Sequence, residues 1–435
     1  MDSRLAMPRR TVLSMGAGLA AAACAPLAPM GSPRTSEAVL RRSPPEAVGM
    51  SSAALNDIRT ALQRHIDANE ITGAVTAVAR RGRLIWLEAQ GVRDVQTQAA
   101  MREDDIFRMM SSTKPVTAVA VLMMLEEGRL SLDDEVSRFI PEFVDTRVVS
   151  LPAGSADPAQ ATFVPAARPI RIRDLLTHTS GLMSYGDFLA PGPGQIVTPI
   201  ERRPGDTLAS YAPRLGGAAL DFQPGARWRY SPLAGFDILL RIVEIVSGQT
   251  ADVFLRERVF EPLDMRDTAF NIPDEKRHRL LKLYARKNDG WVEEPSILGP
   301  EEHRTYLSGA GGLFSTALDF LKFEMMLTQG GAWNGRRLLK AETVAVMSTN
   351  QVGQKFAEWI PPITAGMGFG LSVSVVQDES KADGRSKGAF GWGGAYGTET
   401  WADPALEISA CLMVQQGSRN AKADLSKTIR TAITA

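Results

Sequence analysis

The stretch from Val116 to Leu125 (Val-Thr-Ala-Val-Ala-Val-Leu-Met-Met-Leu) is apolar nearly all round. A helix of that kind has no face to offer water, so it belongs in the middle of a protein and the rest of the chain must wrap it. Phe107-Arg108-Met109-Met110-Ser111-Ser112-Thr113-Lys114-Pro115 leads into it. Ser111 and Lys114 stand three apart, and at the start of a helix that spacing sets both side chains on one face. A serine hydroxyl is a poor nucleophile until a neighbour takes its proton. A lysine one turn away can do so where burial disfavours its ammonium form. The first-turn N–H groups also favour negative charge developing on the serine oxygen. Packing of a central helix would hold such a serine still. Taken alone, however, Ser-x-x-Lys is more simply read as Ser111 or Ser112 capping the helix.

The chain has 435 residues, enough for a large core and more than one lobe. Lys+Arg and Asp+Glu each total 49, so the formal net charge is zero. That argues against a general binder of nucleic acid or anionic membrane. Two cysteines and four histidines are too few and too scattered for a structural zinc site. C-x-x-C, H-E-x-x-H and a Walker loop are absent from the sequence.

Residues 1 to about 35 read as a targeting segment. Arg9-Arg10 precede the apolar run Thr11 to Ala23, which is short for a bilayer span. The twin arginines resemble a Tat-type export signal, and Ala-Ala-Ala-Cys24 resembles a lipoprotein cleavage box without its usual leucine. The expectation is an exported protein, in the periplasm or cell envelope, with Cys24 a candidate lipid anchor; the alternative is an unstructured cytoplasmic leader. Cys411 is then without a partner and reads as a buried apolar filler.

A helix is expected from Ser51, with Leu55, Ile58, Leu62 and Ile66 at helical spacing and His65 beside them as a structural histidine. A hairpin follows: Gly73 to Arg80, a turn at Arg81-Gly82, and a return over Leu84 to Gln90. The central helix ends near Gly128, and Asp133-Asp134-Glu135 is expected to open another. From about 140 to 300, helical stretches alternate with Pro- and Gly-rich loops such as 151–168 and 185–227. Long loops of this kind are more often functional than accidental, and these could roof a pocket. Phe236 to Val246 reads as a second apolar helix closed by Gly248. Ser308-Gly309-Ala310-Gly311-Gly312-Leu313 lacks G-x-G-x-x-G and is assigned to tight packing before a helix over Ala317 to Leu327. Phe369 to Val376, Ala389 to Gly394, Thr398 to Asp403 and Leu406 to Gln415 read as strands, and 420 to 433 as a closing helix. The expected organisation is an α/β lobe built from 45–135 and 300–435, with a mainly helical lobe over 136–299 inserted.

Two further stretches add to the Ser-Lys signal. Trp228-Arg229-Tyr230-Ser231-Pro232 precedes the second apolar helix. A tyrosine beside a Ser-Lys pair can relay protons when ammonium charge stabilises its phenolate; the alternative is a tyrosine that packs at a helix start. Gly391-Trp392-Gly393-Gly394-Ala395-Tyr396-Gly397-Thr398 could let a substrate lie against backbone. A backbone N–H there, with that of Ser111, could form an oxyanion hole; the alternative is a bulge or turn.

Phe107 to Lys114, Leu175 to Leu182, Tyr230, Ser308 to Ala317 and Trp392 to Thr398 follow one another in an order that resembles the serine β-lactamase and penicillin-binding superfamily. The resemblance spans roughly residues 45 to 430 and is strongest to its class C-like branch, the family VIII carboxylesterases. It implies an α/β (α+β) fold: an antiparallel sheet flanked by helices, beside a helical lobe, with the site between them. It implies Ser111 as the acyl-accepting nucleophile, Lys114 as its general base and Tyr230 as a partner in proton transfer. By the same match Trp392, Gly393 and Gly394 bind substrate, and the backbone N–H groups of Ser111 and Ala395 hold the oxyanion.

This sequence departs from the lactamases at two positions. Pro232 stands where they carry asparagine, and Trp392 where they carry a lysine that helps bind the substrate carboxylate. A bulky apolar Trp392 suits neutral esters better than an anionic β-lactam. The reading is therefore a carboxylic-ester hydrolase of short-acyl preference, acting on a small-molecule ester with no cofactor, no metal and no nucleic-acid partner. The alternatives are a β-lactamase, a penicillin-binding peptidase or an acyltransferase using the same acyl-enzyme, and a non-catalytic envelope binding protein. His178 is read as structural, since no acidic partner can be assigned to it. Tyr185, Tyr211 and Tyr396 are candidates to line the pocket. Oligomeric state is left open by the sequence.

Overall fold

A computed structural model of the protein describes residues 40–185, 190–288, 290–299, 301 and 303–434. The expected export signal over 1–35, with Cys24, lies outside the described residues.

Ser51 accepts a hydrogen bond from the Ala54 N–H at 3.2 Å and starts a short turn, Ser52–Leu55, before helix α1 (Asp57–Asp67). Strand β1 (Gly73–Arg80) and strand β2 (Arg83–Asp94) form the expected hairpin. At their turn Arg81 has φ +50° and Gly82 φ +72°, the paired left-handed residues that match a turn to the twist of its strands. Strand β3 (Ala99–Ala100) adds to β2, and helix α2 (Thr113–Glu126) is the central apolar helix, ending before Gly128 at φ +69°. Helix α3 (Ala234–Ser247) and helix α4 (Ala317–Thr328) are the other long apolar helices. Strands β4 (Met367–Phe369), β5 (Ser374–Val376), β6 (Phe390–Gly393), β7 (Glu399–Asp403) and β8 (Ile408–Met413) precede the closing helix α5 (Arg419–Thr431).

Among the described residues the eight strands make one antiparallel sheet in the order β4-β5-β6-β7-β8-β1-β2-β3. The first and last thirds of the chain are thus joined at β8 and β1, where Ala77 faces Cys411. Residues 136–299 contribute none of these strands. Side chains alternate across β1. Val75, Ala77 and Ala79 enter the core that holds α2, α3 and α4, while Ala74 and Val78 enter a second core against α1 and α5. A strand buried on both faces needs apolar or small residues throughout, as its sequence has. His65 is structural, as expected: its ring contacts Glu70 Oε2 at 2.9 Å and Asp424 Oδ2 at 3.0 Å, tying α1 to α5.

Two expectations of secondary structure fail. Phe369 to Val376 is not one strand but β4 and β5, paired antiparallel. Ser372 at φ +80° reverses the chain, and its N–H is held by the Leu176 carbonyl at 2.9 Å. Asp133-Asp134-Glu135 opens no α-helix. The Asp134 carboxylate accepts from the Ser131 N–H at 2.8 Å and the Val136 N–H donates to Ile170 O at 2.9 Å, so tertiary partners take the groups a helix would need.

Candidate active site

Ser111 lies in a single 3₁₀ turn, Met110–Ser112, immediately before α2 rather than inside it. Met110, the residue before it, has φ +48°. A methionine in that region stores about 1–3 kcal/mol of strain, of a kind that gathers at functional sites. The turn leaves Ser111 partly exposed while Lys114, in the first turn of α2, is fully buried. Lys114 Nζ donates to Ser111 Oγ at 3.1 Å, to Pro232 O at 2.7 Å and to Ala310 O at 2.9 Å. An ammonium has three hydrogens, and each has an oxygen here. Tyr230 OH stands 2.6 Å from Ser111 Oγ, and Lys114 Nζ is 5.1 Å from the centre of the tyrosine ring. The structure therefore brings Ser111, Lys114 and Tyr230 together at direct proton-exchange distances.

Each partner of the lysine is held in turn. Pro232, which offers no side-chain hydrogen bond, offers its carbonyl instead. Ala310 is held through Asp237, a carboxylate on α3 that accepts from the Ala310 N–H at 3.1 Å, Ser308 Oγ at 2.7 Å and Tyr306 OH at 2.5 Å. Burial raises the Asp237 carboxyl above its ordinary range, and raises the Tyr306 phenol further with the Asp237 charge beside it. The glycine-rich turn does pack tightly. A Cβ on Gly309 would stand 2.6 Å from Phe236 O and 2.7 Å from Leu240 Cβ, so only glycine lets Ala310 reach the lysine beneath α3.

The sequence reading did not pick out Asp237. An acid in the first turn of a mostly apolar helix, flanked by Phe236 and Ile238, was the available signal, since such a group is expensive to bury without partners. It likewise passed over Ser112 and Thr398 as a pair. Ser112 Oγ and Thr398 Oγ1 are 3.0 Å apart, and Thr398 Oγ1 donates to Met109 O at 3.1 Å. A Cβ on Gly394 would stand 2.3 Å from that same Met109 carbonyl. The turn after β6 is thus bolted to the serine turn. Neither the Ser111 N–H nor the Ala395 N–H in these two turns has a protein acceptor among the described residues.

Trp392 stands in β6 with its ring 5.7 Å from that of Tyr230 and edge-on to Phe369 at 5.3 Å. Gly393 pairs with Glu399 of β7, and Gly394 begins the turn. Trp228, Phe356 and Trp359 extend this aromatic wall, with Trp359 4.6 Å from Trp228 and 6.5 Å from Tyr230. Of the candidate pocket tyrosines, Tyr185 is 6.2 Å from the Tyr230 ring and its N–H donates to Tyr230 O at 2.7 Å. Tyr211 is buried and donates to Ile200 O at 2.9 Å. Tyr396 lines a separate cleft of about 630 Å³ shared with Trp291 and Gln416, and Ser111 is not among that cleft's lining residues.

His178 is wholly buried, and burial together with the Lys114 charge holds its imidazole well below the ordinary histidine range. Its Nδ1 accepts from the Ser231 N–H at 3.2 Å and it meets no carboxylate among the described residues, which is not the arrangement of a triad base. Cys411 is a free, buried cysteine.

Comparison with known proteins gives a consistent picture. The family model for Beta-lactamase matches residues 58–433. Esterase EstB of Burkholderia gladioli is 31% identical over 390 residues, covering 83% of this chain and 91% of that protein. Lovastatin esterase of Penicillium rubens is 32% identical over 312 residues, covering 68% and 73%. Among solved structures, EstCE1, described as a hydrolase with promiscuous acyltransferase activity, aligns with a TM-score of 0.72 at 27% identity, covering 88% of this chain and 99% of that one.

Proposed function

Since this chain belongs to the beta-lactamase family and is an enzyme of the serine-hydrolase type, we propose that it is a carboxylic-ester hydrolase of the family VIII esterase branch, working through an acyl-Ser111 intermediate. The observation that carries this reading is the convergence of Tyr230 OH at 2.6 Å and Lys114 Nζ at 3.1 Å on one serine oxygen. The esterases EstB and lovastatin esterase among its relatives support the ester as substrate.

In this reading Ser111 attacks the ester carbonyl as its proton passes to the Tyr230–Lys114 pair. The carbonyl oxygen gains charge and is received by the Ser111 and Ala395 N–H groups, which have no other acceptor among the described residues. The pair returns the proton to the leaving alcohol, and the bond between carbonyl carbon and alkoxy oxygen breaks. A water then repeats the sequence against the acyl-enzyme, releasing the acid and restoring Ser111. The wall made by Trp392, Trp359 and Tyr230 offers no cation for a substrate carboxylate, which favours a neutral ester over a β-lactam. A second reading, acyl transfer to an alcohol, is favoured by the acyltransferase activity described for EstCE1.

Ser111→Ala should lower turnover of p-nitrophenyl butyrate about 10⁴-fold or more. Comparable turnover in that variant would end the proposal. Nitrocefin, and methanol as an acyl acceptor, run beside the ester would separate lactamase and transferase activity from hydrolysis.

A further inference from the structure

We infer that His178 is the positioning residue of the Ser111 site: its imidazole Nδ1 fixes the backbone between Tyr230 and Pro232, and so sets the phenol and the carbonyl that act on Ser111 and Lys114. The inference rests on the roles proposed above for those three side chains and goes beyond them.

The segments 178–185 and 229–232 run together at three hydrogen bonds. The Arg229 N–H donates to His178 O at 3.1 Å, the Tyr185 N–H to Tyr230 O at 2.7 Å, and the Ser231 N–H to His178 Nδ1 at 3.2 Å. That last bond lies at the one residue between the two groups that matter. Tyr230 on one side carries the hydroxyl 2.6 Å from Ser111 Oγ, and Pro232 on the other carries the carbonyl 2.7 Å from Lys114 Nζ. Proline has no N–H of its own, so Ser231 is where this short stretch can be tied by a donor.

The ring that supplies the acceptor is itself immobile. Its centroid lies 4.8 Å from that of Tyr230, 5.3 Å from Phe236, and 5.5 Å from both Trp228 and Phe369. Because Nδ1 accepts, the neutral ring carries its hydrogen on Nε2, which has no acceptor among the described residues. A cationic ring would set an N–H against the Ser231 N–H. Ser111 Oγ is already met by Tyr230 and Lys114, so the histidine has no reacting proton to move. It acts through the backbone it holds.

A histidine that merely fills space can be told from one that positions. Asparagine places an acceptor, Oδ1, close to where Nδ1 stands, and it tolerates the left-handed backbone of His178 at φ +56°. Leucine keeps volume but has no acceptor. The experiment measures kcat and KM on p-nitrophenyl butyrate, and the rate at which a fluorophosphonate labels Ser111, in wild type, His178→Leu and His178→Asn. His178→Leu should lower kcat and the labelling rate about 10- to 100-fold with KM changed less than about threefold, as expected for misplaced reacting groups. His178→Asn should stay within about threefold of wild type in both. Leu62→Ala, in the core on the other side of the sheet, controls for lost stability and should keep kcat. Should His178→Leu not fold, His178→Gln, whose amide extends past the Nδ1 position, takes its place with the same expectation. Wild-type kcat in the folded Leu or Gln variant overturns the inference, and so does a folded Asn variant that falls as far as Leu. A wild-type protein that no fluorophosphonate labels would instead overturn the acyl-serine reading beneath it.

Discussion

Helices α2 and α4 are both wrapped by apolar neighbours, and each buries an ionisable side chain almost completely; on α4 the ion-paired Asp319 and Lys322 are buried as well. The deepest on α2 is Lys114, at 0% exposure, and on α4 Glu324, at 1%. The two are handled in opposite ways. Lys114 has an oxygen for every hydrogen of its ammonium, two of them backbone carbonyls held from elsewhere. Glu324 is met by the Thr400 side chain, and one of its carboxylate oxygens has no hydrogen-bond partner among the described residues. Burial accordingly pushes its carboxyl up to about 8, and pushes up the neighbouring Cys411 thiol as well. Partners make a buried group usable for chemistry. Without them the interior settles for the neutral form, and the group becomes a liability to stability rather than a tool.

The sharpest way to break this contrast is to remove the amine. Lys114→Met keeps length and apolar bulk. It should cut ester turnover by about 10³-fold, within the range for loss of a general base, while the two orphaned carbonyls cost about 1 kcal/mol each. Steady-state kinetics and a denaturant titration check both halves. A Met variant that keeps a tenth of wild-type kcat would show that the phenol suffices alone.

How far the sequence carried this picture follows the range of the forces involved. The hairpin over Gly73 to Arg80, the capped ends of α2 and α3, and the Ser111, Lys114 and Tyr230 set were legible because local pattern and motif order encode them. Lys114 and Ser111 are one turn apart, so their meeting is a property of a helix. The partners of Lys114 are 118 and 196 residues away, and both are backbone carbonyls. A carbonyl has no letter in the sequence, so Pro232 read as a loss and Asp237 went unnoticed. The split of Phe369 to Val376 into two strands was hidden for the same reason: its reversal at Ser372 is held by the carbonyl of Leu176, far off in the chain.

The second test addresses the acid. The folded carboxyl of Glu324 sits at about 8 against an ordinary 4.5. Between those values the unfolded chain has released a proton that the folded chain still binds, so stability falls as pH rises through that window. At about 1.4 kcal/mol per pH unit the loss approaches roughly 4 kcal/mol by pH 8. Glu324→Gln cannot ionise. Its stability relative to wild type should therefore climb from pH 5 to pH 8, with kcat unchanged within about twofold. Urea midpoints for the two proteins across that range are the measurement. Parallel curves would mean that the carboxyl is not neutral in the fold.

The smallest effect separates the two helices most finely, because one strand serves both. Thr398 and Thr400 are two residues apart where β7 begins, so an extended chain turns them to the same face. Thr398 reaches the serine turn below α2, through Ser112 Oγ and Met109 O. Thr400 meets Glu324 on α4. Each Thr→Val change removes a hydroxyl of similar volume and costs about 1–2 kcal/mol where the partner stays buried. If the bolt from the sheet, rather than the packing of α2 alone, holds the serine turn, Thr398→Val should lower kcat about three- to tenfold. Thr400→Val, whose Oγ1 also lies 3.5 Å from Trp392 O, should lower kcat less than Thr398→Val does and raise the Glu324 carboxyl further, since it withdraws a contact that favours the ionised form. Equal kinetics in the two variants would place the order of the site in the helix itself, and the contrast between the two buried groups would then owe nothing to the strand they share.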